Sequence, residues 1–223
     1  MTRFLKPICQ LFLAVVVCFG LGSCTTTRLP IAATSPWEVV ELNTDANPLD
    51  ISFSDDKHGF LVGTNRLIRE TTDGGSSWKI RSLDLPEEGN FRLISIDFEG
   101  DEGWIAGQPG LLLHTADAGQ NWTRLVLGNK LPGDPYLITT QGADSAELAT
   151  TAGAVYFTRD GGENWEAKVT EAAGGVRDLR RGEDGSYVSV SSLGNFFATL
   201  DSGQDAWQSH QRASSKRVQS LGF

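Results

Sequence analysis

Cysteine is nearly missing from this chain: the 223 residues hold three, Cys9, Cys18 and Cys24, all ahead of position 25. The remainder can form neither a disulfide nor a cysteine-based zinc site. Histidine is as scarce, with His58, His114 and His210 scattered, so no metal or triad constellation emerges and no metal or cofactor is expected. Basic charge is short as well. Nineteen Lys+Arg stand against 28 Asp+Glu for a net charge of −9, which argues against nucleic acid as a partner. Helical patterning is rare, and no Gly-rich phosphate loop runs from a strand into a helix.

The one long apolar run lies at the start. Arg3 and Lys6 precede Leu11–Val17, which continues through Cys18, Phe19 and Leu21. A short basic flank before a short apolar run reads as an export signal over residues 1–23. Leu21-Gly22-Ser23-Cys24 resembles the bacterial lipobox, in which the cysteine is acylated and becomes the new N-terminus. Residues 24–35 then read as lipidated Cys24 and a polar tether, and residues 36–223 as the folded body. A plain signal peptide, or a span beginning at Phe4, is the alternative.

Four copies of one signature run through that body. They are Thr71-Thr-Asp73-Gly-Gly75-Ser-Ser-Trp78, Thr115-Ala-Asp117-Ala-Gly119-Gln-Asn-Trp122, Thr158-Arg-Asp160-Gly-Gly162-Glu-Asn-Trp165 and Thr199-Leu-Asp201-Ser-Gly203-Gln-Asp-Ala-Trp207. The aspartates are 44, 43 and 41 residues apart, the period of a propeller blade. The expected fold is therefore all-β: a β-propeller of four-stranded Asp-box (BNR-like) blades, four of them present. In the second unit the strands read Phe91–Phe98, Trp104–Gly107, Leu111–Thr115 and Trp122–Val126, and Trp37–Val40 falls in register as an outer strand that completes the last blade. In each box the Asp is expected to accept backbone N–H bonds, the Gly to supply positive φ, and the Trp to bury its ring against a neighbouring strand. Four carboxylates converging on a metal or on acid–base chemistry is the rival reading, but blade repetition spreads them around the rim.

Lys216–Phe223 matches the opening of a fifth inner strand and stops where its turn should begin. The expectation is the N-terminal part of a longer ring, with a true four-bladed ring the weaker option. The lipobox, the boxes, Gly63-Thr-Asn-Arg-Leu-Ile-Arg69 and Arg212-Ala-Ser-Ser-Lys-Arg-Val-Gln-Ser-Leu-Gly-Phe223 together resemble the photosystem II stability/assembly factor family of cyanobacteria and plastids. That resemblance implies a seven-bladed, lipid-anchored propeller on the lumenal side of the thylakoid membrane. It implies binding of newly made reaction-centre core subunits, chiefly the precursor of D1, without enzymatic turnover or a small-molecule substrate.

On this acidic body the basic residues near the inner strands form the candidate partner surface: Arg92, Arg177, Arg180, Arg181, Arg212, Lys216 and Arg217. No acidic residue follows Asp205, so the last three are uncompensated in sequence. The family's arginine-rich patch carries over to these positions only as a resemblance, and local pairing with Asp178, Glu183 or Asp184 is the bland alternative. The rival function is an Asp-box glycosidase or sialidase, or a glycan-binding propeller. Tyr136, Tyr156 and Tyr187 each fall within a strand, and Asp50, Asp97 and Asp178 are the nominal carboxylates for a two-carboxylate hydrolase.

Overall fold

In a computed structural model of the chain, each repeat folds as an antiparallel four-stranded meander. The residues described are 39–86, 89–127, 131–211, 216–218 and 220. The expected signal, Cys24, the tether, Trp37 and Arg212 lie outside them. Contacts divide the chain into Met1–Val39 and Val40–Phe223, and the fold described below is that of the second unit.

The first blade contains β1 (Pro48–Phe53), β2 (Gly59–Gly63), β3 (Ile68–Thr71) and β4 (Lys79–Ile80). The second contains β5 (Arg92–Glu99), β6 (Glu102–Gln108), β7 (Leu111–Thr115) and β8 (Thr123–Leu125). The third contains β9 (Pro135–Thr140), β10 (Ala146–Thr150), β11 (Val155–Thr158) and β12 (Glu166–Ala167). The fourth contains β13 (Val176–Arg181), β14 (Tyr187–Ser191), β15 (Phe196–Leu200) and β16 (Gln208–Gln211). Each sheet keeps its strands in chain order. Two strands escape the sequence reading: β10, whose Ala-Glu-Leu-Ala-Thr lacks β-branched residues until its end, and the wholly polar β16.

Three apolar cores sit between consecutive blades. Phe60, Val62 and Ile68 of the first blade pack with Leu93, Ile105 and Leu113 of the second. Trp104, Ala106 and Leu112 pack with Ile138, Ala146 and Leu148 of the third. Ala149 and Val155 pack with Leu179, Tyr187 and Leu200 of the fourth. The two faces of β6 thus feed different cores, Ile105 one way and Trp104 and Ala106 the other. A strand buried on both faces reads as a continuous apolar run, as Trp104-Ile-Ala does.

Three boxes share one bonding pattern. Asp117 Oδ1 accepts from the Thr115 hydroxyl (2.7 Å) and the Asn121 N–H (2.8 Å), while Oδ2 accepts from the Asn121 amide (2.7 Å). The Thr115 hydroxyl in turn accepts from the Gly119 N–H (3.1 Å). Asp73 with Thr71 and Ser77, and Asp160 with Thr158 and Asn164, repeat the arrangement. The second glycine has two reasons to be glycine. Gly119 has φ +80°, and a Cβ there would lie 2.5 Å from the Phe60 ring of the preceding blade. Gly162 has φ +86°, and its Cβ would lie 2.5 Å from Leu125. The box tryptophans also reach backwards. Trp122 meets Phe60 and Phe98 edge-on at 5.9 and 5.8 Å, and Trp165 meets Trp104 at 6.0 Å. Trp122 and Trp165 thus wedge between blades, while Trp78 and Trp207 meet Phe53 and Tyr187 of their own.

The fourth copy departs from this pattern. The Thr199 hydroxyl pairs with His210 Nε2 (2.9 Å), and among the described residues Asp201 makes no side-chain hydrogen bond. The extra residue before Trp207 changes the turn, and Trp207 Nε1 donates to the Gly153 carbonyl one blade back (3.0 Å). Gly203 keeps φ +78°.

The bonding has a consequence for pH. Donors around Asp73 (the Ser77 hydroxyl first) and around Asp117 and Asp160 (the Asn121 and Asn164 N–H first) hold each carboxyl at about 2, below the ordinary 3.8. A depressed folded pKa stabilises fully above the unfolded value and is lost as pH falls through the folded one. Asp117→Asn is expected to flatten the acid-side fall in stability between 3.8 and about 2. Urea midpoints measured across that window check it, and an unchanged slope would contradict the account.

Candidate functional site at the inner strands

The inner strands β1, β5, β9 and β13 line one cleft of about 410 Å³. Asp50, Arg92, Ser95, Gln108, Tyr136, Leu137 and Arg180 border it.

Side chains on this surface link one inner strand to the next. Asp50 Oδ2 accepts from the Ile96 N–H (2.9 Å), and the Ser52 hydroxyl from the Phe98 N–H (3.1 Å). One blade on, the Ser95 hydroxyl accepts from the Ile138 N–H (3.3 Å) and Asp97 Oδ2 from the Thr140 N–H (2.7 Å). Register places Leu137 and Thr139 where the next links would start. No such bond runs from either to β13 among the described residues. Instead the Tyr136 hydroxyl reaches the Arg177 carbonyl at 3.4 Å, with Asp178 Oδ1 at 3.5 Å.

Burial pushes the Asp50 and Asp97 carboxyls up, against the N–H bonds that favour their charged forms. Arg180 acts to lower Asp50, whereas Asp50 itself raises Asp97. Their sign is opposite to that of the boxes. A raised folded pKa contributes stability that is present at low pH and lost as pH rises. The nominal hydrolytic carboxylates are thus inter-strand acceptors, and Asp178 is paired with Arg180 (3.2 Å). Tyr187 is 1% exposed and donates to Glu147 (2.8 Å), inside the junction of the third and fourth blades.

The expected basic set separates into three groups. Arg92, the first residue of β5, and Arg180 are exposed and line the same cleft. Arg177 donates from Nε and Nη2 to the Ser192 carbonyl (3.1 and 2.8 Å), while exposed Arg217 has its Cβ beside Gly194 in the same turn. Lys216 is its exposed neighbour. Val218 donates to the Gly194 carbonyl (3.3 Å), as Ala173 does to Gly153 (3.1 Å) ahead of β13.

Arg181 is a correction to the expected surface. Its side chain is 16% exposed, and its Nε donates to Glu147 Oε2 (2.9 Å) while Nη2 reaches Gln141 Oε1 (3.3 Å). Adjacent strand residues face opposite ways, so Arg180 opens to the cleft and Arg181 enters the blade junction. Sequence reasoning missed Ser95, Gln108 and Tyr136 as cleft residues. Strand register was the available signal, since Ser95 stands one blade on from Asp50.

Residues 29–223 match the sequence model of the family described as Photosynthesis system II assembly factor YCF48. A Synechococcus sp. (strain CC9902) relative named Photosystem II assembly lipoprotein Ycf48 is 65% identical over the whole chain, which covers 67% of that relative. A relative of the same name from Prochlorococcus marinus (strain MIT 9313) is 68% identical, again over the whole chain and 67% of the relative. A solved structure titled YCF48 bound to D1 peptide superimposes with a TM-score of 0.81 at 46% identity, covering 86% of this chain and 63% of that one. The chain spans about two-thirds of these relatives' length. With its Asp-box blades and cleft of inner strands, the chain belongs to the Ycf48 family of photosystem II assembly factors.

Proposed function

We propose that this protein is a non-enzymatic assembly factor that binds newly made photosystem II core subunits, the precursor of D1 foremost. It acts on the lumenal side of the thylakoid membrane, held there by acyl chains on Cys24. The single observation that carries this reading is the solved relative's complex with a D1 peptide. The lipoprotein names of the relatives and the lipobox-like Leu21–Cys24 support the anchor.

Chemistry at the cleft fits the same partner. Arg92 and Arg180 present guanidinium groups in a cleft that Ser95, Gln108 and Tyr136 share with Leu49, Ile94 and Leu137. Planar guanidinium forks suit carboxylates and carbonyls of an extended segment. Arg217 adds an exposed cation near the Ser192–Gly194 turn. The Arg181 guanidinium is instead paired with Glu147.

Changing Arg92, Arg180 and Arg217 together to glutamate tests the proposal. Binding of a synthetic D1-precursor peptide, followed by fluorescence anisotropy at low and high salt, is expected to weaken about tenfold or more. Much of the salt dependence should go with it. Unchanged affinity with unchanged salt dependence would place the partner surface elsewhere.

A further inference from the structure

We propose that Glu102, His114 and Asp144 form a site for a divalent transition-metal ion that clamps the second blade to the third. Glu102 opens β6, His114 lies on the neighbouring β7, and Asp144 belongs to the turn before β10 of the next blade. Their ligand atoms all lie within 4.8 Å of one another.

Comparison with the first blade makes the case. There His58 Nε2 pairs with Glu70 Oε1 (2.9 Å), and Arg81 Nη1 stands 3.5 Å from Glu70 Oε2, so a fixed cation completes the group. The second blade carries the same pair with the residues exchanged: Glu102 occupies the register of His58, and His114 that of Glu70. Their atoms approach to 2.6 Å. Leu125, however, stands at the register of Arg81. Among the described residues no lysine or arginine pairs with Glu102 or Asp144. The fixed cation of the first blade is thus replaced by an added carboxylate, and a carboxylate 8% exposed needs compensation.

The site is also held in place. Asp144 adopts φ +54° and its carbonyl accepts from the Gly161 N–H (2.8 Å), which fixes the turn. A Cβ at Gly161 would lie 3.4 Å from Asp144 Oδ1 and 3.7 Å from the His114 ring. Trp104 stacks on His114 at 4.1 Å, and its Nε1 donates to Glu102 Oε1 (3.1 Å), orienting both groups. Asp144 is exposed, so an ion can enter from solvent. One imidazole nitrogen with two carboxylate oxygens favours zinc or a similar first-row ion over magnesium or calcium, leaving one coordination position for water.

Zinc titration calorimetry on the purified protein, with any free cysteine thiol alkylated, tests the site. The expected result is one saturable zinc equivalent, a rise in Tm with zinc, and visible d–d absorption when cobalt is used as the probe. Asp144→Asn and His114→Gln should each weaken zinc binding tenfold or more. Asp144 is exposed, so its variant decides the matter even if His114→Gln fails to fold. No saturable zinc binding, or binding by Asp144→Asn equal to that of the parent, would overturn the proposal. Neither result bears on binding of the D1 peptide.

Discussion

Replacing Trp104 with alanine is expected to lower the unfolding free energy by about 3–5 kcal/mol, the range for truncating a large aromatic in a core. Trp104 is 0% exposed and is the largest fully buried side chain described. It sits on β6 but projects into the core shared with the third blade, beside Ile138, Ala146 and Leu148. Trp165 meets it edge-on, and His114 stacks on its other side. Alanine would remove the packing between two blades and the Nε1 donor to Glu102 together. Urea unfolding of parent and variant measures the loss. Trp104→Phe separates the two contributions, since it restores most of the volume without the N–H. A loss near zero for alanine would mean that the second and third blades do not depend on this core.

Glu147→Ala is the second large effect, and its cause is electrostatic. Glu147 accepts from Lys168 Nζ (2.5 Å), Arg181 Nε (2.9 Å) and the Tyr187 hydroxyl (2.8 Å). Burial pushes its carboxyl up, yet the three donors outweigh burial and hold it below the ordinary value. Removing the carboxylate leaves two cations and a phenol without their common acceptor, and about 3–5 kcal/mol is expected from such a broken buried pair. Chemical denaturation checks the magnitude. The double variant Glu147→Ala/Arg181→Ala should recover part of the loss, because the uncompensated guanidinium goes too. Strict additivity of the two single variants would contradict the network. The carboxyl's lowered pKa adds a sign: its contribution holds above the ordinary carboxylate range and fades as the solution is acidified.

The contrast between these two residues shows what a reader of the sequence can reach. Trp104 stands in an apolar run, and the repeat assigns it to a second strand. Its complete burial and the blade it packs against came only from the structure. Glu147 sits in Ala-Glu-Leu-Ala-Thr, a stretch with little strand character. Its partners lie 21 to 40 residues away, beyond the reach of local pattern. The same limit divides Arg180 from Arg181. Both are basic residues at the end of an inner strand, and only the pleat decides that one meets solvent and the other a buried acid. Period and box chemistry were legible because they repeat. The cleft was legible only in part, because Ser95 and Tyr136 differ from their counterparts in other blades. Asp201 shows the reverse case: a matching motif letter whose side-chain bonds are missing from the turn.

The links between inner strands have a direction. At the first two junctions each acceptor lies earlier in the chain than the N–H it receives, by 46 positions from the first blade to the second and 43 from the second to the third. A nascent chain therefore lays down the acceptor side of these two junctions before their donor strands emerge. Each completed blade is a template on which the following one closes, without waiting for the ring to return to its start. Growth of this kind needs only neighbouring blades.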